Sequence, residues 1–206
     1  MSAVTTSEVG HDQVAAAAEL TEATRRLMLA AATTDLDPDE VRAAGRAMDA
    51  LTRTLSARSR PRALRAPFDG PADARAGGPD SPWRSFAYNP QAFPLEMHFD
   101  GRSARARTTA NSLYEGPPGL VHGGFTAHLL DSLLGTLTQS LGLRAVTATL
   151  DLRYLAPTPL DVPLDLHARV VDTTGRRTRA EGWIEHDGVR TVEAHGLFID
   201  ITGRTR

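Results

Sequence analysis

The sequence predicts an α+β fold in which one antiparallel β-sheet packs on a single long helix, behind a helical N-terminal extension. Three observations carry that expectation. Residues 123–140 form one long apolar stretch with helical spacing. From about residue 93 onward, apolar and polar residues alternate in short segments on both sides of that stretch. The connections between the segments are too short for parallel crossovers, so the strands run antiparallel with the helix laid on one face.

Taken in chain order, residues 11–58 read as helical. Ala15 to Ala18, Leu20, Leu27, Met28 and Leu29 lie among strong helix formers. Asp37-Pro38-Asp39-Glu40 signals a second start, with Asp37 as cap and Pro38 in the first helical position. Val41, Ala44, Met48, Leu51 and Leu55 then recur at spacings of three and four and give this helix one apolar face. Such a helical pair packs on the body, packs on a partner subunit, or lies over a substrate mouth. Residues 59–85 read as a linker or irregular wrap, because Pro61, Pro67, Gly70, Pro71, Gly77, Gly78, Pro79 and Pro82 disfavour regular structure. The chain thus divides into an extension (1–58), a proline- and glycine-rich linker (59–85) and a sheet domain (86–206).

Within that domain Leu95, Met97 and Phe99 alternate, Asp100-Gly101 marks a hairpin, and Ala104, Ala106 and Thr108 continue beyond it. After the long helix, Val146, Ala148, Leu150, Leu152 and Tyr154 alternate with Thr147, Thr149, Asp151 and Arg153, the pattern of a half-buried strand. Prolines 157, 159 and 163 mark the next turn. Leu164, Leu166, Ala168 and Val170 make another strand, and Gly175 a turn. Residues 177–186 and 190–201 supply the last two, separated by Asp187-Gly188.

Composition narrows the function. A formal charge of −2 over 206 residues, with no basic stripe among aromatics, argues against a nucleic-acid or anionic-membrane partner. The chain has no cysteine, which excludes disulfides, thiolate metal sites and a cysteine nucleophile. No apolar run approaches the roughly 20 residues of a membrane span, and the acidic N-terminus does not read as a signal peptide, so a cytoplasmic protein is expected.

The chemistry concentrates in the segment from Tyr114 to Asp131. A proline–glycine turn runs into His122-Gly123-Gly124, which opens the long helix, and Asp131 follows nine residues after the histidine. The first amides of a helix lack intrahelical partners and can hold a developing negative charge. Paired glycines cost about 1 kcal/mol each against alanine, a cost that makes sense where backbone must approach a ligand. Phe125, Leu129, Leu130, Leu133, Leu134 and Leu137 form the face expected to meet the sheet. Gly124, Ala127, His128, Asp131, Gly135 and Thr138 form a small, polar opposite face that another chain can approach closely. Asp131 is the candidate base or nucleophile, unless it serves only to pair with His128 or an arginine. His122 holds the loop by hydrogen bonds, orients a substrate carbonyl, or transfers a proton. The spacing of His122 and His128 does not suit a metal site. The segment carries neither a serine nucleophile elbow nor a phosphate-binding glycine loop.

Tyr114-Glu115-Gly116-Pro117-Pro118-Gly119, His122-Gly123-Gly124 and Asp131 together resemble the hotdog-fold acyl-CoA thioesterases of the PaaI-like branch. Further matching pieces are Ala145-Val146-Thr147-Ala148, Arg153-Tyr154, Pro157-Thr158-Pro159-Leu160, Gly175-Arg176-Arg177 and the run from Glu193 to Ile199. The likeness spans about residues 90–202. It implies a homodimer with sheets joined edge to edge, or a pair of such dimers, and an acyl-CoA substrate with no cofactor and no metal. Each site takes the histidine–glycine turn from one subunit and the aspartate from the other. Carried over, the Gly123 amide stabilises the oxyanion, a contribution of about 3 kcal/mol for one donor. His122 helps to position that turn, Gly124 contributes to binding the substrate, and Asp131 activates water or attacks directly. Thr147 holds the water or the carboxylate, and Arg153 and Arg176 are candidates for the phosphates of coenzyme A. Some relatives place asparagine or glutamine where this chain has Gly116. Two other functions fit the same residues: a non-catalytic thioester-binding or assembly domain, and a hydratase or dehydratase using His128 with Asp131.

Overall fold

The computed structural model describes residues 5–202. They form two compact units: residues up to 65 with 88–91, and residues 66–87 with those from 92 onward.

The first unit is helical. Helix α1 (His11–Thr33) and helix α2 (Pro38–Ser56) are separated where expected, at residues 34–37. The Asp37 side chain accepts the amides of Asp39 and Glu40, each at 2.9 Å, while the Glu40 carboxylate accepts the Asp37 amide at 3.2 Å. This reciprocal cap satisfies donors that the helix cannot satisfy itself. The backbone donors of Glu40 and then Asp39 hold the Asp37 carboxyl below its ordinary value. Helix α1 buries only Thr21 and α2 buries no residue.

The second unit is a seven-stranded antiparallel sheet around one helix. Its strands are β1 (Trp83–Ser85), β2 (Leu95–Asp100), β3 (Ser103–Thr109), β4 (Ala145–Tyr154), β5 (Pro163–Thr174), β6 (Arg177–His186) and β7 (Val189–Asp200), in the order β1-β2-β3-β5-β6-β7-β4. Helix α3 (Gly70–Ala76) precedes β1, and helix α4 (Gly123–Ser140) lies on the inner face of the sheet. Leu129, Leu130, Leu133, Leu134 and Leu137 of α4 are fully buried. They meet Leu95, Met97, Leu164, Leu166, Ile184, Val192 and Phe198 from the strands. Gly182 on β6 permits this close approach, because a Cβ there would stand 2.9 Å from the His167 carbonyl oxygen and 3.4 Å from methyls of Leu130 and Leu134.

Three expectations need correction. Part of the stretch read as irregular is ordered. Helix α3 places Gly70 and Pro71 in its first turn, where a missing proline N–H costs nothing. Arg75 then ties α3 to the domain: Nε and Nη2 donate to Ser140 Oγ at 3.1 and 2.9 Å, and Nη1 donates to the Gly101 carbonyl. Strand β1 pairs with β2, and no alternating run announces it because it is three residues long. Secondly, Thr138 is buried, not on the open face of α4; its hydroxyl is satisfied by the Gly135 carbonyl at 2.7 Å.

Third, β4 does not alternate as a simple strand. Its pairing with β7 shifts between Thr147 and Thr149, so Ala148 is an extra residue. A bulge of this kind reverses which residues face inward. Ala145 and Thr147 face α4 before it; Leu150, Leu152 and Tyr154 face inward after it. Val146 and Ala148, expected on the buried face, are exposed. Strand β4 also lies at the sheet edge, with β7 as its neighbour on one side.

Candidate active site

The turn before α4 is held by rings and backbone. Tyr114 packs against Phe93 in a tilted pair (4.3 Å between centroids, 38° between planes) and meets Phe125 edge-on at 4.9 Å. The His122 amide donates to the Tyr114 carbonyl at 2.8 Å, and the Val121 amide to the Thr158 carbonyl at 2.9 Å. Gly119 takes a left-handed backbone (φ 76°), and its amide donates to Glu115 Oε1 at 2.7 Å. Gly116 has a steric reason: a Cβ there would lie 2.8 Å from His122 Cα. The asparagine or glutamine of some relatives does not fit this loop geometry.

His122 is the N-cap of α4. Its Nδ1 accepts the Gly124 amide at 3.0 Å. In the neutral ring the proton therefore resides on Nε2, the nitrogen left to meet a ligand. The Phe125 and Thr126 amides donate to the His122 carbonyl at 2.8 and 3.3 Å. Among the described residues, the Gly123 amide is the one donor of this first turn without a partner. Tyr154, from the end of β4, lies over the turn and donates its hydroxyl to the Gly123 carbonyl at 3.0 Å. The sequence shows Tyr154 only within a motif; its contact depends on the bulge and has no local signature.

Asp131 is half-buried on the same helix. Thr147 donates its hydroxyl to Asp131 Oδ1 at 2.8 Å. The alternative pairings do not form: among the described residues no cation lies within ion-pair distance of Asp131, and the His128 ring instead meets Phe86 at 5.4 Å. Asp131 and Gly123 stand eight residues apart on one helix, about 12 Å at 1.5 Å per residue. One chain therefore does not bring them to a common atom.

The two arginines fall in separate places. Arg153 lies on the outer face of the sheet and pairs with Glu193 at 3.5 Å. Arg176 donates from Nε (2.9 Å) and Nη2 to the Asp200 carbonyl, near the opposite end of β4. Asp200 is held below its ordinary carboxyl value chiefly by donors from the Thr202 side chain and backbone, and less by Arg176.

An antiparallel sheet wrapped on one long helix, with a histidine-capped double-glycine helix start and an aspartate in its middle, defines a hotdog-fold domain. Residues 118–193 match the family model of the thioesterase superfamily. The fold is thus a hotdog, and within it residues 118–193 are similar to the thioesterase superfamily. The chain is similar to the acyl-coenzyme A thioesterase THEM4 of Xenopus laevis, 34% identical over 89 residues that make up 42% of this chain and 40% of that protein. The aligned stretch is therefore less than half of that relative's length. Among solved structures it is similar to RHA08564, a thioesterase superfamily protein (29% identity, TM-score 0.75, covering 89% of this chain and 90% of that one). It shares its fold with smu.793 of Streptococcus mutans UA159, solved with acetyl CoA (20% identity, TM-score 0.51, covering 54% and 91%). The RHA08564 likeness extends over nearly the whole chain, whereas the family match stops at the sheet domain.

Proposed function

We propose that this chain hydrolyses acyl-CoA thioesters to the carboxylic acid and free coenzyme A. The unpartnered Gly123 amide carries the proposal: its neighbours in the first helical turn are all satisfied, so one donor is left where a helix start favours negative charge. The thioester carbonyl accepts from Gly123 N–H, with His122 Nε2–H beside it. Asp131 of a second copy takes a proton from water as the water oxygen attacks the carbonyl carbon, or attacks that carbon itself. Collapse of the tetrahedral intermediate breaks the C–S bond, and the thiolate of coenzyme A leaves and is protonated; on the direct-attack route the acyl group stays on Asp131 as an anhydride, which water then hydrolyses to the carboxylic acid and the free aspartate.

The requirement for a second copy follows from the 12 Å along α4, and strand β4 supports it. This strand is ten residues long, and one edge carries unpaired backbone groups; Val146, Tyr154 and Leu155 are about half exposed. An open edge of that length is a template for strand pairing. Joining two copies edge to edge through β4 places both sites along the shared seam, and two such dimers can then associate. Thr147 fixes the Asp131 carboxylate by donating to one oxygen and leaves the other free. Hydratase chemistry through His128 and Asp131 loses its support, because those two side chains do not pair.

The test is thiol release from a panel of short, long and aromatic acyl-CoAs by the wild-type chain and Asp131→Asn. The expected result is a fall in kcat of at least 10²-fold with the far-ultraviolet circular dichroism unchanged. Near-normal turnover by Asp131→Asn removes the catalytic assignment. Tight acyl-CoA binding by the wild type without thiol release would make the domain a binding module.

A further inference from the structure

We propose that α2 is a self-association helix that pairs antiparallel with α2 of a second copy of this chain. A 19-residue helix with no buried residue lacks the tertiary packing that ordinarily stabilises helices in proteins. Its apolar residues nevertheless form a single stripe. Val41, Ala44, Met48, Leu51 and Leu55 repeat at three, four, three and four residues, the spacing of a two-helix seam. Val41, Leu51 and Leu55 are 44%, 48% and 47% exposed, while Ala44 and Met48 between them are half-buried, so the stripe is open at both ends and not sealed in its middle.

The residues flanking the stripe select its partner. Gly45, Ala47, Thr52 and Thr54 line its two margins, all small and uncharged, with Glu40 the one charge at the N-terminal end of a margin; in an antiparallel pair it faces the threonine end of the other copy, so the two approach without like-charge contact. The charged residues Arg42, Arg46, Asp49 and Arg53 lie away from the seam. Charge along the axis sets the direction. The start of the helix carries Asp35, Asp37, Asp39 and Glu40, while Arg53, Arg58, Arg60 and Arg62 occupy its end and the residues beyond. Antiparallel pairing sets the acidic end of each copy beside the basic end of the other; parallel pairing sets like beside like. A two-fold axis across the helix makes both contacts at once, as an isologous dimer requires. In the register that stacks four of the five stripe residues on each other, Val41 of one copy lies over Leu51 of the other and Ala44 over Met48, while Leu55 reaches the partner helix at its Asp37 cap.

The natural absence of cysteine makes the test direct. Full-length Val41→Cys and Leu51→Cys chains are prepared separately, both at exposed positions where a thiol does not disturb a core. They are treated with a short bismaleimide of about 8 Å reach, alone and as an equilibrated equal mixture. Antiparallel pairing predicts cross-linked dimer in the mixture at least fivefold above either chain alone, since like positions stand about 15 Å apart along the axis. Adding Leu51→Asp to a Val41→Cys chain, mixed with Leu51→Cys, lowers that cross-linking at least fivefold. Efficient self-linking of each chain alone overturns the antiparallel arrangement. Absence of cross-linking in all three samples overturns the pairing itself.

Discussion

Replacing Thr147 by valine tests whether the hydroxyl on Asp131 matters to the chemistry. The change preserves shape and strand preference and removes one hydrogen bond, the 2.8 Å donation to Asp131 Oδ1. A hydrogen bond to a charged group contributes about 1.5–3 kcal/mol. Thr147 is exposed and Asp131 half-buried, so water replaces part of it, leaving about 1–2 kcal/mol for holding the carboxylate in orientation. If that orientation is needed in the transition state, kcat falls about five- to thirtyfold. Stability changes by less than about 1 kcal/mol, as for a surface site. The assay is thiol release at saturating acyl-CoA, with thermal unfolding of each variant alongside. Thr147→Ser, which keeps the hydroxyl, restores most of the rate. A Thr147→Val enzyme within twofold of wild type refutes the argument, as does a serine variant no better than valine.

Two further outcomes follow from the packing and the cap. Gly182→Ala introduces a Cβ 2.9 Å from the His167 carbonyl oxygen, which belongs to backbone and has little freedom to move. It should cost about 1–3 kcal/mol, read as a fall in unfolding midpoint of several degrees by calorimetry. The Asp37 carboxyl is held below its ordinary value of 3.8, so its contribution to α2 is present above that pH and is lost as pH falls through the depressed value. Helical circular dichroism should therefore decline at the acid end in wild type, whereas Asp37→Asn should show a smaller acid-dependent loss.

Much of this chain is legible residue by residue because the governing forces are local. Asp37-Pro38 starts α2 because an aspartate side chain reaches amides two and three residues ahead. Asp187-Gly188 turns β6 into β7 because both residues take positive φ (49° and 76°), a conformation that suits asparagine, aspartate and glycine. The leucines of α4 announce their buried face by spacing alone. The same reasoning misplaces Thr138, since a threonine that bonds its own helix can be buried without a polar partner elsewhere. It also misses α3, whose glycine and proline argue against helix while Arg75 anchors the segment to Ser140, 65 residues away in sequence.

By itself the sequence determined the order of helices α1, α2 and α4 and of strands β2 to β7, the turns between those strands, and the residues gathered at the start of α4. Each of those depends on backbone preferences and hydrogen bonds spanning a few residues. Tertiary structure decided which way β4 faces. The single unpaired residue Ala148 has no local signature, yet it turns Thr147 toward Asp131 and Tyr154 toward Gly123. Register is a property of two strands, here β4 and β7, separated by more than thirty residues of chain and brought together by the shared leucine core of α4.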